Sequence, residues 1–287
     1  MPLDSIAEIL ASCSERNLAF WQVVLEADVE ERQVCAEASF EKMRATWRAM
    51  LDSAESYDGG LRSVSGLSGG DGELMRRYAA GGAALGGGYI SEVIATALCV
   101  GESNACMRKI VAAPTAGACG VLPAVLVPLY RRGEREEDIL RALYTAAGIG
   151  AVINSRASIS GAAGGCQAEI GSASAMAAGA LAQLRGGGPE QTANALAMAL
   201  KNLMGLICDP VAGLVEVPCV KRNVIGAVNA VSCADMALAG ITSRVPADEV
   251  IDCMGIVGER LPREFRETAR GGLAATPTGR AAWKKLK

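Results

Sequence analysis

Ten cysteines and no histidine define the chemistry open to this chain of 287 residues. Without an imidazole, the chain itself can supply neither a Ser-His-Asp nor a Cys-His catalytic group, nor the two histidines of an HExxH zinc site. No two cysteines have the CxxC spacing, which excludes the common zinc ribbon, thioredoxin and ferredoxin motifs. The metal chemistry that remains is a site assembled from cysteines that are distant in the sequence.

Three of the cysteines lie beside glycine or proline rather than within an apolar helical pattern. Cys166 follows the run GAAGG, Cys208 precedes Asp-Pro, and Cys219 follows Pro218. A cysteine in such a setting is held rigidly and can present its thiolate to a metal or an iron-sulfur cluster. A lone cysteine is more often a small buried hydrophobe, so the residues by themselves leave both interpretations open.

The other reactive residues nearby have a less specific setting. Cys233 and Cys253 lie in helical patterns, and we predict that they belong to the core. Glu169 and Lys221 lie within three residues of the cysteines described above, where a charged group can accept a proton or balance the charge of thiolates. An ordinary surface salt bridge is the alternative for Lys221. The sequence therefore does not single out a general base.

The elements that must position these residues are predicted to be helices joined by glycine loops. Ser5-Ile-Ala-Glu8 has the spacing of a capping box, and Phe40, Met43, Trp47 and Met50 recur at helical intervals, so amphipathic helices are expected within residues 1–56. Residues 57–72 contain six glycines and are predicted to be a loop. Further helices are expected at about 73–107, 120–131, 136–152, 170–185, 189–208 and 223–241, which would place Cys208 at a helix C-terminus.

The whole chain is predicted to be mostly α, a single all-helical catalytic domain over residues 1–287 with glycine-rich active-site loops. Lys and Arg together number 28 against 31 Asp and Glu, so a nucleic-acid partner is not expected. The uncharged stretch 110–130 contains three prolines, which argues against a membrane span. The acidic start of the chain is unlike a signal peptide, so we expect reduced thiols in the cytoplasm.

Three longer segments carry a resemblance to a known family. They are KIVAAPTAGACGVLPAVL at 109–126, SISGAAGGCQAEIGSASAMAA at 158–178 and GLICDPVAGLVEVPCVKRNVIGAVNA at 205–230. Together they resemble the iron-sulfur-dependent L-serine dehydratase (L-serine ammonia-lyase), specifically the alpha chain of its two-chain form. SGLSGGDG at 65–72 and RGGLAATPTG at 270–279 fit the same family. The resemblance makes residues 57–279 the region expected to bind the cluster and the substrate.

The resemblance implies a 4Fe-4S cluster bound by Cys166, Cys208 and Cys219, with one iron left free to bind substrate. It also implies that glycine-bearing loops contact L-serine, since their hydroxyls and backbone N–H groups can bind a carboxylate. A plain loop, turn or capping role is the alternative for these residues. The substrate contacts predicted on this basis are Ser65, Ser68, Gly69, Gly70, Thr115, Ala116, Gly117, Asn154 and Ser160.

The activity implied by the resemblance is the conversion of L-serine to pyruvate and ammonia in serine degradation and gluconeogenesis, with the cluster acting as a Lewis acid. One-chain members carry an additional domain with a histidine motif, so a separate beta chain is the expected partner here, within an oligomer. Some members also end in a cysteine that reaches the cluster, whereas this chain ends in TPTGRAAWKKLK. The occupant of the fourth iron position is therefore left open.

Two other functions are compatible with the residues taken alone. A pyridoxal-phosphate lyase for the same amino acid would need a Schiff-base lysine and a phosphate-binding glycine loop, and Lys109 is not followed by such a pattern. A non-catalytic helical interaction subunit would keep all its cysteines in the core. Iron and sulfide analysis would separate the second alternative from the cluster enzyme.

Overall fold

The computed structural model describes residues 4–286, and its regular elements are helical. Within this range there is no β-strand, and an isolated bridge joins Cys208 to Arg266. The prediction of a mostly α chain is confirmed. The helices are α1 (Ile6–Arg16), α2 (Phe20–Arg32), α3 (Ala36–Glu55), α4 (Asp71–Ala80), α5 (Gly87–Ala105), α6 (Val121–Arg131), α7 (Glu136–Arg156), α8 (Gly161–Gly164), α9 (Ser172–Leu184), α10 (Pro189–Asn202), α11 (Cys219–Leu238), α12 (Ala247–Arg260) and α13 (Pro277–Lys285).

Helix α9 lies at the centre of the structure and packs against α7, α10 and α11. Its sequence SASAMAAGALAQL consists largely of small residues, and almost all of them are buried. Small side chains allow neighbouring helices to approach closely, and at Gly179 an added Cβ would collide with the Ile149 side chain. The buried cluster built around α9 extends from Ile6 to Met254, so the ends of the chain pack on the same core.

The N-terminal helices pack on the rest of the chain. Ser5 caps α1 by accepting a hydrogen bond from the Glu8 N–H at 3.1 Å, in agreement with the predicted cap. Residues 1–56 contain three helices within the described range, because α2 separates the two segments that the sequence pattern indicated. The Phe40 ring of α3 packs edge to face on the Tyr144 ring of α7, with 5.2 Å between the ring centroids. This aromatic contact attaches the N-terminal helices to α7.

Two helix predictions were wrong, and glycine explains both. The predicted helix 73–107 is divided into α4 and α5, because Gly82 and Gly87 adopt φ values of +73° and +66° that a right-handed helix does not accept. The predicted helix 189–208 ends at Asn202, and Gly205 beyond it has φ +87°. Cys208 is therefore in an extended segment and not at a helix C-terminus.

Other predictions agree with the structure more closely. Residues 57–70 form the predicted glycine loop, and Pro189 begins α10 as expected. Helix α12 was not predicted, and its Cys253 is exposed, so placing that cysteine in the core was wrong, whereas Cys233 is buried. Cys253 faces solvent because the apolar stripe of α12 runs through other positions, such as Val250 and Met254. Within residues 4–286, none of the helices is long and apolar enough to cross a membrane.

Candidate active site

The structure brings Cys166, Cys208 and Cys219 together from three distant segments. Their exposed fractions are 3%, 4% and 9%, so all three thiols are buried. Cys166 precedes a π-helical turn over Gln167–Gly171, and Cys219 is the first residue of α11. π-helical turns are rare among helices in general. Those that do occur are often found at functional sites, because they redirect side chains.

Backbone and amide contacts hold the segment of Cys208 against that of Cys166. The Gln167 N–H donates to the Leu206 carbonyl at 2.9 Å, and the Gln167 side-chain oxygen accepts from the Gly205 N–H at 2.8 Å. On its other side, the N–H of Cys208 donates to the Phe265 carbonyl at 2.8 Å, and its carbonyl accepts from the Glu267 N–H at 3.0 Å. Cys208 is therefore fixed between the π-helical turn and the C-terminal segment.

Burial governs the ionisation of the three thiols. Desolvation raises the pKa of Cys166 to about 11 and that of Cys219 to about 12, and it raises the pKa of Cys208 further still. The nearby Cys166 thiol adds to the rise at both other cysteines, which shows how close the three groups are. Metal binding displaces such protons, because the thiolate is the ligand.

The residue types at this site are compatible with an iron-sulfur cluster. Thiolates are the protein ligands of such clusters, and each thiolate binds a different iron. Three buried thiols influence one another's ionisation here, and a carboxylate lies 4.0 Å from the Cys208 sulfur. No group of three Cys, His, Asp or Glu side chains that could hold a single metal ion is found among residues 4–286.

Glu169 lies beside the thiols on the π-helical turn. Its carboxylate accepts a hydrogen bond from the Thr115 hydroxyl at 2.7 Å and lies 4.0 Å from the Cys208 sulfur. Burial raises the pKa of this carboxyl, and the Thr115 hydrogen bond opposes the rise. Gly161 faces the same carboxylate so closely that an added Cβ would lie 2.6 Å from Oε2. A carboxylate thus shares the buried site with the cysteines.

The loop containing Thr115, Ala116 and Gly117 lies at this site. Thr115 contacts the site through the hydrogen bond that its hydroxyl donates to Glu169. Asn104 donates to the Ala116 carbonyl at 3.0 Å, and Asn223 donates to the Gly117 carbonyl at 2.9 Å. Asn223 belongs to the same helix as Cys219, so the loop is tied directly to a cysteine-bearing element. The structure therefore places Thr115 and Gly117 beside the Glu169 carboxylate, with Ala116 between them in the chain.

The glycine loop 57–72 is attached to the Cys219 segment by Glu216. The hydroxyls of Ser63 and Ser65 each donate to Oε2 of Glu216 at 2.6 Å, and this carboxylate is buried. Ser68 is also buried, and its N–H donates to the Ser63 hydroxyl at 3.2 Å. The Ser65 hydroxyl proton is thus directed at Glu216, three residues before Cys219.

A second buried carboxylate, that of Glu102 on α5, closes the end of the same loop. It accepts from the N–H groups of Asp71 and Gly72 at 2.9 and 3.1 Å and from the Tyr57 hydroxyl at 2.5 Å. Its charge therefore occupies the N-terminus of α4, a position that favours anions. Gly69 and Gly70 precede these N–H groups with φ values of +126° and +88°.

Ser160 and Asn154 differ in their positions. Both are exposed, but Ser160 is at the N-cap of α8 beside Gly161, which contacts Glu169, whereas Asn154 lies on α7. Lys221 forms an ion pair with Asp71 at 2.8 Å, and its side chain is 67% exposed. The alternative of a surface salt bridge therefore describes this lysine.

A family model described as serine dehydratase alpha chain matches residues 15–274. The chain belongs to this family. The resemblance inferred from the sequence is thereby confirmed. The chain is 46% identical to a probable L-serine dehydratase alpha chain of Bacillus subtilis, over 98% of this chain and 94% of that protein. It is 41% identical to the L-serine dehydratase alpha chain of Peptoniphilus asaccharolyticus, over 96% of each chain.

A longer member of the family matches part of the chain. L-serine dehydratase TdcG of Escherichia coli is 49% identical over 62% of this chain, and the match covers 40% of that protein. More than half of the Escherichia coli protein therefore lies outside the matched region. The match does not extend to that additional part.

Four residues that organise the site were not predicted from the sequence: Glu102, Asp209, Glu216 and Arg222. Asp209 and Arg222 form a buried ion pair at 2.8 Å. Asp209, Glu216 and Arg222 each lie within three residues of a predicted cluster ligand. Glu102 lies in an apolar stretch of α5, where a charged residue is unusual. A charged residue inside an apolar pattern was the available signal, because such a residue is buried only with partners.

Proposed function

We propose that the chain is the alpha chain of an L-serine dehydratase, which converts L-serine to pyruvate and ammonia with a 4Fe-4S cluster bound by Cys166, Cys208 and Cys219. Family membership supports the reaction. The observation that carries the assignment of the ligands is the meeting of three buried thiols from distant segments at one site. These three cysteines are also those that the sequence resemblance indicated.

The donor set determines how the cluster would be used. Three thiolates leave one iron without a cysteine ligand from this group. When bound, the cluster supplies a Lewis acid that favours loss of the substrate's hydroxyl group, which is otherwise a poor leaving group. The chain must then bind the rest of the substrate and exclude water around it, which is the task of the surrounding loops.

The loops around the thiols are suited to bind the substrate's charged groups. Gly69 and Gly70 have left-handed conformations that can direct successive N–H groups at a carboxylate, and Ser65 and Ser68 hold the loop in that conformation. We propose that Thr115, Ala116 and Gly117 form the opposite wall together with Ser160 beside α8. Asn154 is exposed on α7, and its part in substrate binding would be indirect.

We further propose a beta chain as partner, within an oligomeric enzyme. General-base catalysis near neutral pH favours a group whose pKa lies near the working pH, and histidine is the usual one. This chain contains no histidine. The longer Escherichia coli relative has a large region outside the match, and a separate chain can supply the equivalent region here. The ten free thiols suit a reducing compartment, so we propose a cytoplasmic enzyme.

Anaerobic reconstitution with iron and sulfide tests the cluster. The unmodified chain should bind about four iron atoms, and Cys166→Ser, Cys208→Ser and Cys219→Ser should each lose most of this iron. Cys233→Ser is the matched control, because this buried thiol bonds to Asn202 and Asn229, whose side chains can also bond a serine hydroxyl. Full iron content in any of the three variants would remove that residue from the ligand set.

The role of the beta chain is tested with the same reconstituted protein. Pyruvate formation from L-serine is measured with and without added beta chain. We expect little turnover from this chain alone and full turnover from the pair. Equal turnover in both samples would show that this chain carries the proton acceptor itself.

A further inference from the structure

Arg222 occupies an unusual position in the first turn of α11, three residues after Cys219. Its side chain is only 12% exposed. Nη1 donates to the carbonyl of Ile207 at 2.7 Å, and Nη2 donates to Oδ1 of Asp209 at 2.8 Å. These two acceptors lie immediately before and after Cys208 in the chain. One guanidinium therefore binds both sides of the Cys208 position.

The Cys166 segment is bonded to the same stretch of chain. The Gln167 N–H donates to the Leu206 carbonyl at 2.9 Å, and the Gln167 side-chain oxygen accepts from the Gly205 N–H at 2.8 Å. Arg222 therefore holds the Cys208 segment from the helix that begins with Cys219, and the Cys208 segment is in turn bonded to the residue that follows Cys166.

Asp209 extends these contacts to the C-terminal part of the chain. It is 3% exposed, and its second oxygen, Oδ2, accepts from the Leu273 N–H at 2.8 Å. Gly272 packs against the same carboxylate, where an added Cβ would collide with it, and has φ +56°. The Arg222–Asp209 pair therefore joins the Cys208 and Cys219 segments to the segment RGGLAATPTG.

We infer that Arg222, held by Asp209, is the positioning residue that fixes the Cys208 and Cys219 segments at the spacing required to bind the cluster. The inference rests on the proposed function. A guanidinium is a rigid planar fork that can bond several acceptors in fixed directions, whereas the ammonium of lysine is a point charge on a flexible stem. Burying an ion pair costs desolvation energy, so this pair is better explained by the geometry it imposes than by stability.

The test compares Arg222→Lys and Asp209→Asn with Arg156→Lys as control. Arg156 forms an ion pair with Asp252 at 2.7 Å at a more exposed position, and its hydrogen bonds go to Asp252 and the Asp4 carbonyl rather than to a cysteine segment. The full-length chains are reconstituted anaerobically, and the release of iron to a chelator is timed. Loss of a residue that orients metal ligands typically weakens metal binding by roughly 10- to 100-fold, and we expect iron release from Arg222→Lys to accelerate on that scale.

The thermal unfolding midpoint of the iron-free chains separates positioning from general stability. We expect Arg222→Lys to unfold close to the control while releasing iron much faster. Iron release at the unmodified rate, with or without a lower midpoint, would overturn the inference. If Arg222→Lys does not fold, Asp209→Asn is the deciding variant. It keeps the shape of the side chain at 209 and the guanidinium of Arg222, and it weakens one bond between them. An unchanged rate of iron release from Asp209→Asn would again overturn the inference. Absence of iron from the unmodified chain would instead contradict the proposed function.

Discussion

Three glutamate carboxylates of the site are satisfied by neutral donors. Glu169 accepts from a threonine hydroxyl, Glu216 from two serine hydroxyls, and Glu102 from a tyrosine hydroxyl and two backbone N–H groups. Within residues 4–286, no ion pair is formed between these three carboxylates and Lys or Arg. The buried guanidinium of Arg222 therefore pairs with Asp209, and its charge acts on the nearby Cys166 thiol.

At the residue scale, we predict that Glu216→Gln raises the KM for L-serine. A neutral amide replaces a charged acceptor of two hydroxyls, and a hydrogen bond to a charged group contributes about 1.5–3 kcal/mol. Loss of such a bond would loosen the glycine loop and raise KM about tenfold, with little change in iron content. Steady-state kinetics and iron analysis measure both quantities.

The matched control for this variant is Glu73→Gln, which removes an exposed carboxylate paired with Arg77 on α4. Ser65→Ala provides a second comparison, because it removes one of the two donors to Glu216. If Glu216 acts through the loop, combining Ser65→Ala with Glu216→Gln should raise KM by less than the product of the separate effects. An unchanged KM in Glu216→Gln with full iron content would contradict this role.

At the scale of elements, the packing of α4 on α5 includes one very close contact, at Gly72. Gly72 is the residue that this helix buries, and it packs on α5 at Cys99. An added Cβ at Gly72 would lie 2.7 Å from the Cys99 sulfur and 3.1 Å from its backbone. The approach of the two helices therefore depends on the absence of a side chain here, and the glycine loop that precedes α4 depends on that approach.

We predict that Gly72→Ala destabilises the fold and disturbs the glycine loop. Overpacking of this kind costs about 1–3 kcal/mol, because a backbone contact on α5 cannot be relieved by rotating a side chain. Thermal or urea unfolding measures the loss. Gly81→Ala is the control, since Gly81 has φ −72° and an added Cβ there would make an ordinary contact at 3.4 Å. Equal stability of the two variants would show that α4 can move without cost.

At the scale of the whole molecule, an apolar groove opens beside the candidate active site. Val64 and Met107 line it and are 90% and 85% exposed, and Trp283 of α13 contributes a further wall. Ser65 and Glu216, which organise the glycine loop, lie in the same groove. Exposed apolar surface of this kind typically marks an interaction site. The proposed beta chain would supply the general base, which must reach this region. We therefore propose that the beta chain binds this groove.

We predict that Val64→Asp and Met107→Asp weaken the association with the beta chain without reducing iron content. Burying a charge in place of an apolar side chain would remove about 1.5–3 kcal/mol of burial energy, which corresponds to at least about a tenfold rise in Kd. Ile256→Asp is the control, because Ile256 is 49% exposed on α12 and lines a different cleft. The same Kd for all three variants would place the beta chain on another surface.

The sequence by itself determined the features that depend on neighbouring residues. The Ser5 cap, the loop at 57–70 and the start of α10 at Pro189 follow from local hydrogen bonding, glycine content and proline geometry. The helical class follows from apolar periodicity in the same way. The three cysteines stood out because glycine or proline lies within two residues of each of them, although their meeting at one site was implied by resemblance alone.

Only the tertiary structure decided which partners these residues have. Ser63 and Glu216 are 153 positions apart, and Thr115 and Glu169 are 54 apart, so no local pattern connects them. The exposure of Cys253 was likewise mispredicted, because an apolar residue at helical spacing does not reveal whether a neighbouring element covers it. Local signals set the conformation of a segment, whereas the burial of a charge or a thiol depends on contacts between segments distant in sequence.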